Sequence, residues 1–308
     1  MDVPLSGWRR TLHKRGTWMF CPMILFGFGY RIVKHEYGVN DVDYSKYLGP
    51  KWREQKFEGK RVPTIVANHI AFLEVLLWMS VLTPPAFTPA SFVQKLFLGN
   101  HYTKSLQCVY IDRTATKEEL DRQVARVTER QKLIMESDAD WGPLCFFAEG
   151  SVTNGLNLSR FRRGAFQSGL PVQPVYQKYH WKTVSPDYAS VKGLELSFIM
   201  ISELAFNSLH AHTFPVFMPN DYLYTEYAKT IPGFEKMEKW EIYAHAVEDF
   251  MRTHGNFGTN DQQLREKVSL QQFVWREKDE ITVNGKTFYW PPRGKVGTDA
   301  RMNTKKQS

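Results

Sequence analysis

The sequence predicts an α/β domain, a mixed and largely parallel sheet flanked by helices, with an N-terminal helical segment at a membrane interface ahead of it. Three observations carry this expectation. Short, uncharged, β-rich runs alternate with stretches of helical periodicity from about residue 61 onward. A thirteen-residue run without a charge, Trp18 to Tyr30, is preceded by Arg9, Arg10, Lys14 and Arg15. The composition, 43% hydrophobic and 23% charged over 308 residues, suits one substantial core and excludes both wholesale disorder and a polytopic membrane protein.

As a helix, the Trp18 to Tyr30 run covers about 20 Å, against a hydrocarbon core of about 30 Å, so it is too short to span alone. Its Trp, Phe and Pro residues and the following Arg31, Lys34, His35 and Glu36 do not resemble a signal-peptide cleavage site. Aromatic residues and flanking cations favour a segment lying in the interface or dipping in and returning at Pro22. A buried core helix is the alternative. Val62 to Ala67 then reads as a buried strand, and Ala71 to Leu82 as a helix stopped by Pro84 and Pro85. Gln107 to Ile111 reads as a further strand. Thr116 and Glu119 predict a capping box for a helix whose apolar face carries Leu120, Val124, Val127, Gln131 and Ile134.

Leu144 to Ala148, Val172 to Tyr176 and Thr213 to Met218 complete the expected strands. Pro174 inside one of them implies an edge or a bulge. Glu238 to Arg252 has the pattern of an amphipathic helix, and Asn284-Gly285 within Ile281 to Tyr289 signals a hairpin. The basic, polar tail is expected to be disordered. Cys21, Cys108 and Cys145 are odd in number and lack CxxC spacing, so reduced core thiols are expected rather than disulfides or a metal site. A net charge of +8 implies an anionic partner: nucleic acid, a phosphate-bearing small molecule or an acidic membrane. The basic residues lack the aromatic interleaving of a nucleic-acid surface, so no nucleic acid is expected.

Four short constellations could carry chemistry. In the first, Asn68-His69 and Glu74 stand where a strand gives way to a helix. Five residues along a helix rotate two side chains about 140° apart, so His69 and Glu74 meet only if the histidine sits in the preceding turn. There the carboxylate would fix the tautomer and raise the basicity of the ring. The second is Asp112-Arg113 at a strand tip, where a guanidinium suits bidentate capture of phosphate. The third, Glu149-Gly150-Ser151, joins an acid to a glycine and precedes a basic cluster, Arg160, Arg162 and Arg163, able to complete an anion pocket. The fourth is the run containing Pro174. Taken singly, each also has a structural reading: a core histidine, a surface ion pair, or a turn with a solvated basic loop.

The order of the four resembles the glycerolipid acyltransferase superfamily of the 1-acylglycerol-phosphate acyltransferase type. Its motifs run N-H-x4-D, F-x-D/x-R, F-P-E-G-T and V-P-V-x-P-V, here met in sequence between Asn68 and Val175. The run EGSVTNG, followed by RFRRGAF and LPVQPV, is similar to the lysophosphatidylcholine acyltransferase branch. Glu74 stands for the usual aspartate, Ala148 for the proline and Ser151 for the threonine. The resemblance implies an N-terminal membrane-associated segment (1–55), an acyltransferase catalytic domain (56–225) and a C-terminal helical extension with a basic tail (226–308). It implies transfer of a fatty acyl group from acyl-CoA, a co-substrate rather than a bound cofactor, to the hydroxyl of a lysophospholipid. His69 is then the general base and Glu74 its partner, with Asn68, Arg113, Glu149, Gly150, Ser151, Arg163 and Pro174 shaping the substrate pocket. No metal is expected. The implied location is the cytosolic face of the endoplasmic reticulum. The rivals are a non-catalytic lipid-binding protein of the same fold and an acyl-CoA thioesterase.

Overall fold

Six strands make the central sheet of the computed structural model, which describes residues 4–38, 42–89, 93, 97–112, 115–187, 191–202, 206–260, 264–283 and 285–290. In chain order the strands are β1 (Tyr30–Tyr37), β2 (Thr64–Ala67), β3 (Ala86–Phe87), β4 (Leu144–Phe147), β5 (Asn157–Ser159), β6 (Val172–His180), β7 (Asn207–Thr213), β8 (Gly258–Asn260), β9 (Glu280–Val283) and β10 (Lys286–Tyr289). The central order is β1-β7-β6-β2-β4-β3, with β5 and β8, and β9 and β10, forming two small separate sheets. Among the central pairs β6 and β7 are antiparallel and the others parallel. This is the mixed, largely parallel α/β sheet expected. β2 is buried along its whole length, as a strand covered on both faces must be, which explains its unbroken uncharged run.

The helices are α1 (Gly7–Gly27), α2 (Ser45–Leu48), α3 (Glu74–Val81), α4 (Phe97–Ser105), α5 (Lys117–Glu136), α6 (Gly193–Ser202), α7 (Lys239–His254) and α8 (Leu264–Val274). Two clusters of buried side chains hold them on the sheet. One is aromatic-rich and joins α7 and α5 to Val66, Phe146, Val172 and Phe214. The other joins α1, α3 and α6 to Ile65, Ala67, Val175 and Leu209. Alternate residues of β2 thus enter opposite clusters, as a pleated strand requires. The first 55 residues contribute β1 to the sheet, and the last 83 contribute α7 to its aromatic face.

Local chemistry accounts for the departures from expectation. Residues 107 to 111 do not form a regular strand. Gln107 turns at φ 59°; Gln107 and Cys108 donate to Lys104 and Thr103 at the end of α4, while Val109 and Ile111 donate to Phe87 and Pro89. Pro89 has no N–H to continue the ladder. The strand expected at 213–218 lies earlier, over β7, where buried Asn207, Leu209, Ala211 and Thr213 alternate with Ser208, His210 and His212. β6 is central rather than an edge. Pro174 is tolerated there because its carbonyl, and hence the side on which its missing N–H would lie, faces Phe214, beyond the end of β7. Thr116 caps α5 as expected, accepting from the Glu119 N–H, while the Glu119 carboxylate pairs with Arg122 and Arg126. α7 and the β9-β10 hairpin fall where the sequence places them. The three cysteines are free.

Candidate active site

β2 and β4 are parallel neighbours, so the loops that follow them leave the same edge of the sheet. That carboxyl edge is where open α/β sheets bind ligands. His69 lies two residues past β2, and Glu149 and Gly150 just past β4. α3 begins at Glu74, later than the Ala71 start expected, because residues 70–73 form a turn closed by the Glu74 carboxylate itself. Oε1 accepts from the N–H groups of Ile70 at 2.5 Å and Ala71 at 2.6 Å. Oε2 lies 2.6 Å from His69 Nδ1. The Glu74 side chain is 0% exposed and that of His69 16%. A carboxylate at the first residue of a helix also gains from the helix dipole.

Three further groups hold the histidine. Its N–H donates to Glu149 Oε1 at 2.9 Å, and its carbonyl accepts from the Thr153 N–H at 2.7 Å and hydroxyl at 3.1 Å. Its ring stacks on Phe147 with centroids 4.3 Å apart and planes at 11°. Glu149 is buried, and its second oxygen accepts from the Ser159 N–H at 2.9 Å. Asn68 is buried behind the histidine as a clamp between β2 and β6. Its amide donates to the Gln177 carbonyl at 3.1 Å and accepts from the Gln177 N–H at 3.0 Å. Gln177 in turn donates to the Asn68 carbonyl and accepts from the Trp78 indole.

The structure therefore brings His69, Glu74, Asn68, Glu149 and Gly150 together at one loop cluster. Gly150 turns at φ +75°, a conformation that disfavours a side chain, and partly exposed Ser151 follows it. Arg163 points elsewhere: it donates to Asp121 on α5 at 3.0 Å and to Gln167 at 2.6 Å, lining a groove along α5. Pro174 is buried in β6, opposite Val66. Arg113 lies outside the described residues. Gln177 is not marked by the sequence, and Phe147 and Thr153 stand in the runs around Glu149 without a role of their own. Gln177 is one polar residue in an alternating strand, and only its burial at 0% marks it. Among the described residues no cluster of His, Cys, Asp and Glu could hold a metal ion.

A buried carboxylate fixing one nitrogen of a partly exposed imidazole leaves the other nitrogen able to take up a proton, at the edge of the sheet where α/β folds bind ligands. Residues 54–178, which span the whole described site, match the family model Acyltransferase. "Lysophospholipid acyltransferase LPEAT1" of Arabidopsis thaliana is 28% identical over 270 residues, covering 85% of this chain and 64% of that protein. "Lysophosphatidylcholine acyltransferase 2" of Danio rerio is 25% identical over 209 residues, covering 65% and 34%. The chain thus spans less than two thirds of either relative. The solved 1-acyl-sn-glycerophosphate (LPA) acyltransferase PlsC of Thermotoga maritima superposes with a TM-score of 0.49 at 14% identity, covering 80% of each chain.

Proposed function

We propose that the chain transfers a fatty acyl group from acyl-CoA to the free hydroxyl of a lysophospholipid, of lysophosphatidylcholine or lysophosphatidic acid type. The observation that carries this reading is the 2.6 Å contact between His69 Nδ1 and a fully buried Glu74 whose other oxygen is tied to two backbone N–H groups. A carboxylate so held keeps the proton on Nδ1, so Nε2 is the nitrogen that accepts the hydroxyl proton. The deprotonated oxygen then attacks the thioester carbonyl. As the tetrahedral intermediate collapses, the coenzyme A thiolate leaves and takes its proton from the imidazolium. Glu74 and the parallel face of Phe147 stabilise that cation meanwhile. Asn68 and Glu149 act by positioning, since their polar groups are engaged with the backbone, and Arg113 is assigned to the acceptor phosphate. The extra methylene of Glu74 also favours an enzyme over a non-catalytic lipid-binding protein, because the longer side chain reaches the ring and both N–H groups at once.

The same reading puts the protein on a membrane, where its acceptor resides. No described helix is long and apolar enough to cross one. The outward face of α1 instead exposes Trp8, Leu12, Met19, Phe20, Met23 and Phe26. Its inward face carries Arg10, paired with Asp140, and buried Thr17, Cys21 and Leu25. Large apolar groups facing outward between cations suit an acidic lipid interface. Phe28, just past α1, packs against Phe72 in the turn that follows His69, so the apolar helix ends beside the site. The endoplasmic reticulum is proposed on the resemblance alone, and imaging of tagged protein checks it.

The test is His69→Ala, assayed with labelled acyl-CoA and a panel of lysophospholipids. A positioned base contributes about 10²–10⁴-fold, so transfer should fall by at least roughly 100-fold. Near-native turnover by the variant refutes the assignment.

A further inference from the structure

We infer that Arg162 is a phosphate-binding residue of this site, clamping a phosphate oxyanion of one of the two substrates; this rests on the acyltransferase reading above. Three neighbouring arginines follow β5, and the fold treats them differently. Arg163 is tied to Asp121 on α5 and to Gln167, four residues further along the chain. Arg160 lies beside the Glu248 carboxylate of α7. Arg162 is exposed, and among the described residues no carboxylate pairs with it. Its stem instead lies across the turn after β4: a Cβ placed on Gly150 would come 3.2 Å from Arg162 Cγ and 3.8 Å from Nε. The residue before that glycine, Glu149, holds the His69 N–H.

The backbone that carries Arg162 is fixed from three sides. Ser159 donates to Glu149 Oε2 at 2.9 Å, Phe161 to Glu248 Oε2 at 3.0 Å, and Arg162 itself to the Ala148 carbonyl at 2.8 Å. Two of these anchors are carboxylates, and one carboxylate, Glu149, binds both this segment and the histidine loop. A cation on a rigid mount, without a carboxylate partner, at the carboxyl edge of a parallel sheet, is preorganised for an anion. Both proposed substrates carry phosphate, the acceptor in its headgroup and the donor in coenzyme A. A guanidinium forms two parallel hydrogen bonds with either.

The experiment measures binding by titration calorimetry of palmitoyl-CoA, and of lysophosphatidylcholine below its micelle concentration, to wild type, Arg162→Ala, Arg162→Lys and Arg122→Ala. Arg122 lies on the exposed face of α5 and controls for net charge. Arg162→Ala should weaken one of the two probes by roughly tenfold or more, the value of a hydrogen bond to a charged group. Lysine should recover part of that loss, and Arg122→Ala should change neither Kd. Weakening confined to lysophosphatidylcholine assigns the lipid phosphate, and weakening confined to palmitoyl-CoA assigns the coenzyme. Wild-type affinity for both probes in Arg162→Ala, or an equal loss in Arg122→Ala, overturns the inference. Melting curves show that the variant is folded, and the lysine variant reads the same contact should alanine fail. A wild-type chain that binds both probes but transfers nothing refutes the proposed activity while leaving the Arg162 assignment standing.

Discussion

Replacing Glu74 by glutamine keeps the length of the side chain and removes its charge, and the turn that holds it then allows only two arrangements. In the first, the amide oxygen keeps the Ile70 and Ala71 N–H bonds, now at 2.5 and 2.6 Å, and the NH₂ group faces His69 Nδ1. The ring must then offer Nδ1 as an acceptor and carry its proton on Nε2, the nitrogen needed as a base. In the second, the oxygen faces Nδ1 and the NH₂ group is pressed against two buried N–H donors. Each donor left without a partner costs roughly 1–3 kcal/mol, so this arrangement lies several kcal/mol higher. The inactive tautomer therefore dominates, and kcat should fall by about 10²–10⁴-fold, the range seen when a base loses its orienting carboxylate. The Michaelis constants should change little, since Glu74 is fully buried and touches no substrate. The assay is initial-rate acyl transfer, with melting curves to confirm folding. A variant within about threefold of wild type refutes the reasoning, because the tautomer argument requires far more.

Other consequences follow from the same structure. Asn68→Ala strands the buried N–H and carbonyl of Gln177, so denaturant unfolding should show a loss of about 2–5 kcal/mol; an unchanged midpoint contradicts the clamp. The double variant Phe20→Glu, Met23→Glu places two anions on the outward face of α1, and co-sedimentation with acidic vesicles should drop sharply while wild type pellets; equal pelleting removes α1 from the lipid surface. Burial raises the Glu248 carboxyl from 4.5 to about 7, against the lowering effect of the Phe161 N–H and Arg160. Between about pH 5 and 7 the folded chain therefore binds a proton that the unfolded chain, with its carboxyl near 4.3, has released, and stability falls as pH rises through that window. Glu248→Gln removes this slope, so relative to wild type it should gain on the order of 2 kcal/mol between pH 5 and pH 8, allowing for partial exposure. Parallel stability curves for the two proteins contradict this.

The parts of this fold that periodicity marks were readable in the sequence, and the parts set by tertiary contacts were not. β2, β4, α5 and α7 show unbroken apolar runs or a regular apolar face. β7 was misplaced because its buried side is small or polar, Asn207, Ala211 and Thr213, and only Leu209 on that face looks like core. The two-residue β3 leaves almost no pattern to read. At the site, the spacing of His69 and Glu74 stated its own condition, a histidine in the turn before the helix, and the structure meets it. Which arginine of Arg160, Arg162 and Arg163 stands without a carboxylate partner depends on Asp121 and Glu248, residues about 40 and 90 positions away. Glu149 was noted for its strand-end position, but its double grip on His69 and Ser159 required the fold. Gln177 gave no signal, since one polar residue in an alternating strand reads as an outward-facing one.

The central claim is that the His69 ring activates a lipid hydroxyl rather than water. Detergent-solubilised protein incubated with palmitoyl-CoA, with and without lysophospholipid, and followed by mass spectrometry tests it most directly. Diacyl phospholipid should form in equal amount with released coenzyme A, and only when the lysophospholipid is present. Release of free palmitate without any acceptor, or no release at all, contradicts it.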